Sequence, residues 1–274
     1  MEVNIGNPLS LEEMDLPPIV YKYRSWSDQY HQAVLRERSF WFASPSTFED
    51  QYDCKNYIRY DLLTLEDMYN YYLADSIKTN LHFGSIEQHV EYAKDWAKNS
   101  PLHDKKVIEE HQIQTHKEFC ERFGVLSLTA EPELASMWKK YADNHKGFCV
   151  GINSVKAFSY FGGGGPVNYV KELPLIMPTP IHSYEKQHWL QIFHKLEEWD
   201  FEKEYRVHKF SPTPKDFNRS ISLPHEAFEE VIFGPETPEA HKDEIREACK
   251  KSSLNIRFRQ ATLISDSISI EDLD

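Results

Sequence analysis

Short apolar runs in the first part of the chain predict β-strands. Apolar and basic side chains alternate in IVYKYRS, 19–25, and FWFAS, 40–44, is a second apolar run. Ser27 lies between them and is a suitable N-cap for a helix that extends to about Arg38. After a proline-rich lead, residues 1–18, the chain is therefore predicted to form a strand, a helix and a strand.

The hydrophobic period changes to that of helices between about residues 62 and 123. Apolar side chains recur there every three or four positions, and turn signals are absent within each segment. Three helices are predicted, with the sequences LEDMYNYYLADSIK, SIEQHVEYAKDWAKN and DKKVIEEHQIQTHKEFCERF. Their aromatic residues are interpreted as packing positions.

Short strands return in the remainder of the chain. They are predicted at residues 124–129, 147–152, 167–170, 202–210, 231–235 and 254–263. Helices are predicted at 131–145, 184–200 and 237–252. The four consecutive glycines from Gly162 to Gly165 predict a loop, and the acidic segment 265–274 is expected to fray.

These elements predict an α+β fold with a mixed, mainly antiparallel sheet. We expect one domain, residues 19–261, in which the helices at 62–123 form an insertion that covers the β-rich part. Residues 262–274 are expected to form an acidic tail.

The composition indicates which classes of partner are expected: nucleic acid, membrane or metal. The chain has 44 acidic and 31 basic residues, and its formal net charge of −13 opposes broad attraction to a polyphosphate backbone. No basic leader or long apolar run is present, so we expect a soluble cytoplasmic protein without a membrane partner. The four cysteines lack CxxC spacing and the histidines lack HExxH or HxH patterns, so no metal site is predicted.

The segment EKEYR suggests the chemistry. Residues two apart on a strand share a face, so Glu202, Glu204 and Arg206 are predicted to project together. Carboxylates about 6 to 7 Å apart repel each other, which raises the pKa of at least one unless a cation such as Arg206 intervenes. The pattern fits an active-site acid pair, and it also fits a salt-bridge ladder on an exposed sheet face.

Several segments, taken in order, resemble a widespread bacterial domain family of unknown function. They are YKYR, SPSTFEDQYD, MWKKYADNHKGFC and EKEYR, and the resemblance extends from about residue 20 to about residue 250. Two features depart from the family pattern. Glu49-Asp50-Gln51 replaces Asn-Asp-Pro, and the GGGGP segment replaces a shorter turn.

The layout also resembles, more remotely, the ADP-ribosyltransferase superfamily, which has a split sheet and binds NAD. That resemblance implies a polar or basic residue on the first strand, a Ser ending the second strand, and a Glu-X-Glu pair on a late strand. Including neighbouring candidates, Glu204 and Glu202 are predicted as catalytic residues, and Lys22, Arg24, Tyr23, Ser44 and Arg206 as NAD-binding residues. Asp50, Asp53 and His145 are predicted as cleft residues.

Cleavage of the nicotinamide–ribose bond develops an oxocarbenium-like cation, which a nearby carboxylate stabilises. The sequence thus favours an NAD-dependent ADP-ribosyltransferase or NAD glycohydrolase, with a role as a toxin or anti-phage effector and a protein or nucleic acid as acceptor. A non-catalytic module that binds a nucleotide or a protein is the alternative. A weaker alternative is a nuclease that binds Mg²⁺ through Asp50, Asp53, Glu202 and Glu204, with Lys22 nearby.

Overall fold

The computed structural model describes residue 11 and residues 13–79 and 85–273. The chain forms two compact units. The first unit comprises the described parts of Met1–Ser44, Phe123–Val167 and Glu198–Asp274. The second comprises the described parts of Pro45–Arg122 and Asn168–Glu197.

Strands and helices are numbered in chain order. The strands are β1 (Ile19–Arg24), β2 (Ser39–Trp41), β3 (Phe123–Thr129), β4 (Phe148–Asn153), β5 (Gly165–Pro166), β6 (Asn168–Val170), β7 (His194–Leu196), β8 (Glu204–Phe210), β9 (Ser220–Ser222), β10 (Phe228–Phe233), β11 (Arg257–Ile264) and β12 (Ser267–Asp272). The helices are α1 (Gln29–Arg36), α2 (Leu65–Lys78), α3 (Ile86–Asn99), α4 (Lys105–Arg122), α5 (Ala135–Tyr141), α6 (Ser154–Phe161), α7 (Tyr184–Ile192) and α8 (Glu239–Lys251).

The first unit is built on an eight-stranded sheet with the order β12-β11-β10-β4-β1-β3-β8-β5. The β10–β11 pair is parallel and the other neighbours are antiparallel. The predicted α+β class with a mixed, mainly antiparallel sheet is therefore confirmed. The central position of β1 places its polar side chains among strands from distant parts of the sequence.

Alternation along the strands gives this sheet two buried faces. On one face, Val20 and Val150 belong to a core that includes Leu35 of α1. On the other face, Tyr23 packs in a second cluster with Trp138 of α5. Because both faces are covered, burying a charged side chain of β1 or β8 costs free energy unless an opposite charge or a ligand pairs with it.

The second unit is mainly helical, as the hydrophobic period predicted. The three helices α2, α3 and α4 contribute to a core that includes Tyr60, Met68 and Tyr72. The unit also contains the short parallel pair β6–β7. It extends from Pro45 to Arg122 and includes Asn168–Glu197, whereas the sequence suggested an insertion limited to 62–123.

Some local predictions are wrong because tertiary pairing overrides the local pattern. The predicted helix 184–200 ends at Ile192, and β7 follows it and pairs with β6. The C-terminal segment does not fray through its described part, because β12 pairs with β11 along its whole length. α6 was not predicted; it begins after the Asn153 cap and ends at Gly162, whose φ of 84° favours glycine.

One helix cap differs from the prediction. Asp28, not Ser27, caps α1 by accepting the backbone N–H of Tyr30 at 2.8 Å. At α8 the N-cap is Pro238, and the hydroxyl of Thr237 donates to the backbone carbonyl of Gly147. Within the described residues, none of the helices combines the length and apolar character that crossing a membrane requires.

Candidate functional site

β1 and β3 pair only briefly, which leaves an interruption in the centre of the sheet. Tyr21 lies opposite Thr129, and it is the one position at which the β1–β3 ladder is registered. Two residues earlier on β3, the carbonyl of Ser127 accepts a hydrogen bond from Lys22 Nζ at 2.5 Å. If the two strands had continued to pair, this carbonyl would have accepted a backbone N–H. It accepts a hydrogen bond from the Lys22 ammonium instead.

Beyond this interruption, the residues that follow β2 pair with the same edge of β3. Ala43 and Val125 exchange both backbone hydrogen bonds, at 2.9 and 2.8 Å. Ser44, the predicted end of the second strand, follows directly. Ser127 therefore lies between two segments that pair with β3 from the same side, β1 and the residues after β2.

Lys22 is electrostatically coupled to the late acid pair. Burial, followed by the repulsion from Arg24, lowers the pKa of Lys22 to about 7, and the charges of Glu204 and Glu202 oppose this shift. Alternation starts the Lys22 side chain on the face opposite Glu204, but its ammonium reaches the level of the backbone at Ser127. The charges of Glu204 and Glu202 therefore act on Lys22, while the hydrogen bond of its ammonium is to β3 and not to the acids.

Glu204 is held by Arg206 in a buried, two-point ion pair. The guanidinium donates from Nε to Oε1 at 2.8 Å and from Nη2 to Oε2 at 2.9 Å. The side chain of Glu204 is 5% exposed and that of Arg206 is 1% exposed. The exposed salt-bridge ladder is therefore wrong, and the predicted shared face of Glu204 and Arg206 is present in a buried setting.

Glu202 is positioned by a turn and not by β8. It is the last residue of a 3-10 turn, Glu197–Glu202, and Lys203 follows with a φ of 44°. The hydroxyl of Tyr141 donates to Glu202 Oε1 at 3.0 Å, and the hydroxyl of Thr129 donates to its backbone carbonyl at 2.7 Å. The strand predicted to begin at Glu202 begins at Glu204, and both acids are nevertheless directed into the unit.

Aromatic and basic side chains flank Glu202. The ammonium of Lys140 lies 4.7 Å from the ring centroid of Tyr141 and 4.7 Å from that of Trp199. Neither Tyr141 nor Trp199 was predicted as a site residue. The spacing of Lys140 and Tyr141 on α5 contained no signal for this cluster, because Trp199 reaches it through tertiary folding.

Arg24 and His31 form a second polar group at the end of β1. Burial lowers the pKa of Arg24 to about 10, against the favourable charge of Asp28. The backbone N–H of Ser25 donates to His31 Nδ1 at 3.3 Å, and His31 Nε2 lies 3.8 Å from Asp28 Oδ2. Burial, then Arg24 and Lys22, lower the pKa of His31, while Asp28 raises it. His31 was missed because its role depends on α1 folding back beside β1.

Tyr23 does not fit its predicted role as a cofactor contact. Its side chain is 2% exposed, and its ring packs edge-on against Trp138 with centroids 5.0 Å apart. Its hydroxyl donates to the carbonyl of Glu131 at 2.8 Å. The assignment is corrected, because both the ring and the hydroxyl are used by the core.

His145 lies in a strained turn in the first unit. Asp143, Asn144 and His145 all have left-handed φ values, 52°, 49° and 70°. The His145 carbonyl accepts the backbone N–H of Glu236 at 2.9 Å, and its Nδ1 is buried without a hydrogen-bond partner among the described residues. These contacts fix the turn; they do not place the ring beside the acid pair.

The predicted residues Asp50 and Asp53 belong to the second unit. Asp53 forms a buried ion pair with Lys195 at 3.6 Å, and Asp50 accepts the backbone N–H of Tyr52 at 2.9 Å. In the part of the chain that the structure describes, no group of three or more His, Cys, Asp or Glu side chains is arranged to hold a metal ion. The nuclease alternative therefore gains no ligand set from these residues.

Comparisons with known proteins add no family assignment. No family model matches the chain, and no curated protein or solved structure shows significant similarity to it.

Proposed function

We propose that this protein cleaves the nicotinamide–ribose bond of NAD, as an ADP-ribosyltransferase or an NAD glycohydrolase. The observation that supports the proposal is the electrostatic interaction of Glu204 and Glu202 with Lys22, whose ammonium lies at the interruption between β1 and β3. Such a group combines a cation for a diphosphate with carboxylates for a developing positive charge. The mixed sheet with an interrupted central pair is also compatible with the remote resemblance to ADP-ribosyltransferases.

In the proposed reaction, Glu204 and Glu202 have different roles. As nicotinamide departs with the electron pair of the glycosidic bond, Glu204 stabilises the oxocarbenium-like ribose, and Arg206 fixes its carboxylate. The acceptor hydroxyl, amine or water then bonds to the ribose carbon and loses a proton to Glu202, which Tyr141 orients. The products are nicotinamide and ADP-ribose attached to the acceptor, or free ADP-ribose if the acceptor is water.

The biological setting follows from the same resemblance. A toxin or an anti-phage effector would use this reaction on a protein or nucleic-acid acceptor, or would deplete NAD. Because the net charge of −13 opposes general attraction to nucleic acid, a nucleic-acid acceptor would be held through local basic residues.

A binding module without catalysis is the second candidate, and one observation favours it. Both carboxylate oxygens of Glu204 are bound by Arg206, and the pair is almost fully buried. A pair of this kind serves stability or ligand shape as readily as it serves chemistry. A binding module would hold a nucleotide beside Lys22 without turnover.

Nicotinamide release from NAD distinguishes the two candidates. We expect wild-type protein to release nicotinamide and Glu204→Gln to lose about 100-fold or more of the rate, the usual effect of removing an electrostatic stabiliser. The matched control is Glu230→Gln, because Glu230 is also a buried sheet carboxylate, bound by Tyr21 and Arg257. It should retain the wild-type rate if it remains folded.

Two other results would count against the proposed reaction. Equal rates for Glu204→Gln and Glu230→Gln, with both variants folded by circular dichroism, would remove Glu204 from the chemistry. NAD binding by wild-type protein without nicotinamide release would support the binding module.

A further inference from the structure

The second unit contains a pocket whose residues take no part in the proposed reaction. Its volume is about 380 Å³, within the range of about 300 to 1,000 Å³ that is typical of small-molecule sites. The residues that line it lie in three segments, 56–61, 105–112 at the start of α4, and 173–175. All three segments belong to the second unit, whereas Lys22 and Glu204 belong to the first.

Hydrogen bonds between these segments hold the walls of the pocket together. The backbone N–H of Arg59 donates to the carbonyl of Ile176 at 2.7 Å, next to the parallel bridge between Ile58 and Ile176. The side-chain amide of Gln112 donates to the carbonyl of Ile58 at 2.9 Å, which attaches α4 to the first segment. The pocket is therefore built by fixed contacts of the fold.

The charged side chains that line the pocket are two cations and two carboxylates. Arg59 binds Asp61 at two points, from Nε to Oδ1 at 2.8 Å and from Nη2 to Oδ2 at 2.6 Å. Lys105 Nζ lies 3.8 Å from Glu109 Oε1, one turn further along α4. Because the charges of this set balance, a ligand with charges of both signs complements it better than a simple anion or cation does.

The ion pair of Arg59 and Asp61 keeps hydrogen-bonding capacity for a ligand. Its two hydrogen bonds use two of the five N–H donors of Arg59, which leaves three. A carboxylate offers about four acceptor positions, so Asp61 can accept further N–H groups. The two side chains are 35% and 38% exposed, and solutes can therefore reach them.

Much of the remaining lining is apolar. Leu173, Pro174 and Leu175 come from one segment, and Ile108 comes from α4. The side chain of Leu175 is 54% exposed, so an apolar ligand group that covers it removes apolar surface from water. The lining thus favours a ligand that carries an apolar group in addition to its charges.

We propose that this pocket binds a short zwitterionic peptide with apolar side chains. The peptide carboxylate binds the remaining donors of Arg59 and the ammonium of Lys105. The peptide ammonium binds the carboxylates of Asp61 and Glu109. An apolar side chain of the peptide covers Leu175. The site uses none of the residues of the proposed NAD reaction and does not depend on that reaction.

Isothermal titration of the full chain with the dipeptide leucyl-leucine tests the site. We expect Arg59→Gln to weaken binding by about tenfold or more, because it removes a charge-assisted hydrogen bond to the carboxylate. The Arg59–Asp61 pair is partly exposed, so the variant should remain folded. The matched control is Lys94→Gln, because Lys94 is also an exposed cation in an ion pair of the second unit, with Glu91 on α3. It should bind the dipeptide as wild type does.

Modified dipeptides test the two charges of the ligand separately. The amide of leucyl-leucine lacks the carboxylate, and N-acetyl-leucyl-leucine lacks the ammonium. Each should bind wild type about tenfold or more weakly than leucyl-leucine. The loss caused by the amide should be smaller in Arg59→Gln, because that variant has already lost a partner of the carboxylate. The acetylated dipeptide also represents the C-terminus of a protein, which offers the carboxylate alone.

Three results would overturn the proposal. They are no binding of leucyl-leucine to folded wild type, equal affinities of Arg59→Gln and Lys94→Gln, and binding of either modified dipeptide as tight as that of leucyl-leucine. None of these measurements involves NAD. A protein that binds the dipeptide but releases no nicotinamide from NAD would contradict the proposed reaction and leave the peptide site intact.

Discussion

The two ends of the candidate site differ in how their charges are satisfied. At the start of β8, Glu204 is enclosed and bound by both guanidinium donors of one arginine. At the end of β1, Arg24 has no hydrogen-bond acceptor within the described residues, and His31 is one-third exposed. The acid end is therefore satisfied within the fold, whereas the cationic end has donors that no described residue accepts. Charges at both ends act on Lys22: Arg24 lowers its pKa, and Glu204 and Glu202 raise it.

The largest expected effect is at the acid end. Arg206→Met leaves a carboxylate buried without its cation, and we expect a loss of about 3 to 5 kcal/mol in the free energy of unfolding. The double variant Glu204→Gln/Arg206→Met should recover a large part of this loss, because no unpaired charge remains. Urea unfolding measures both. A loss below about 1 kcal/mol in the single variant would mean that the acid end is not closed as described.

The next effect concerns the link between the ends. An unfolded lysine titrates near 10.4, whereas Lys22 titrates at about 7 in the folded protein, mainly because of burial. Between these values the unfolded chain binds more protons, so the stability of wild type should rise with pH. Relative to Lys22→Met, we expect a rise on the order of 1 to 2 kcal/mol between about pH 7 and pH 9. Parallel stability curves for the two proteins in this range would contradict the coupling.

Tyr141→Phe should have a smaller effect at Glu202. The change removes one hydroxyl hydrogen bond of 3.0 Å, and a loss of about 1 kcal/mol in the free energy of unfolding is expected. If Glu202 accepts the acceptor's proton, the variant should also alter the pH dependence of nicotinamide release. A variant with wild-type stability and an unchanged pH profile would show that Tyr141 does not position Glu202.

The smallest effect is expected at the exposed ion pair next to the acids. Lys203 Nζ lies 2.8 Å from Asp200 Oδ2, and the two side chains are 47% and 54% exposed. Solvent screens such pairs, so Asp200→Asn should change stability by about 1 kcal/mol or less. Thermal unfolding measures it. A cost as large as that of Arg206→Met would indicate that burial does not explain the difference between the two pairs.

The sequence predicted β3 and β4 correctly, because their apolar runs are buried on both faces of the eight-stranded sheet. It predicted that Glu204 and Arg206 share a face, since that depends only on strand period. It did not predict the turn at Lys203 or the pairing of β12 with β11, which depend on tertiary neighbours. His31 was not predicted as a site residue for the same reason.

Titration of the Lys22 ammonium by NMR tests most directly whether the opening strand and the late acids form one site. We expect a pKa of about 7 in wild type, with burial as its main cause, and a lower value in Glu202→Gln, which loses a favourable negative charge. Glu230→Gln should leave it unchanged. An ordinary lysine pKa in wild type, or equal values in wild type and Glu202→Gln, would contradict the central claim.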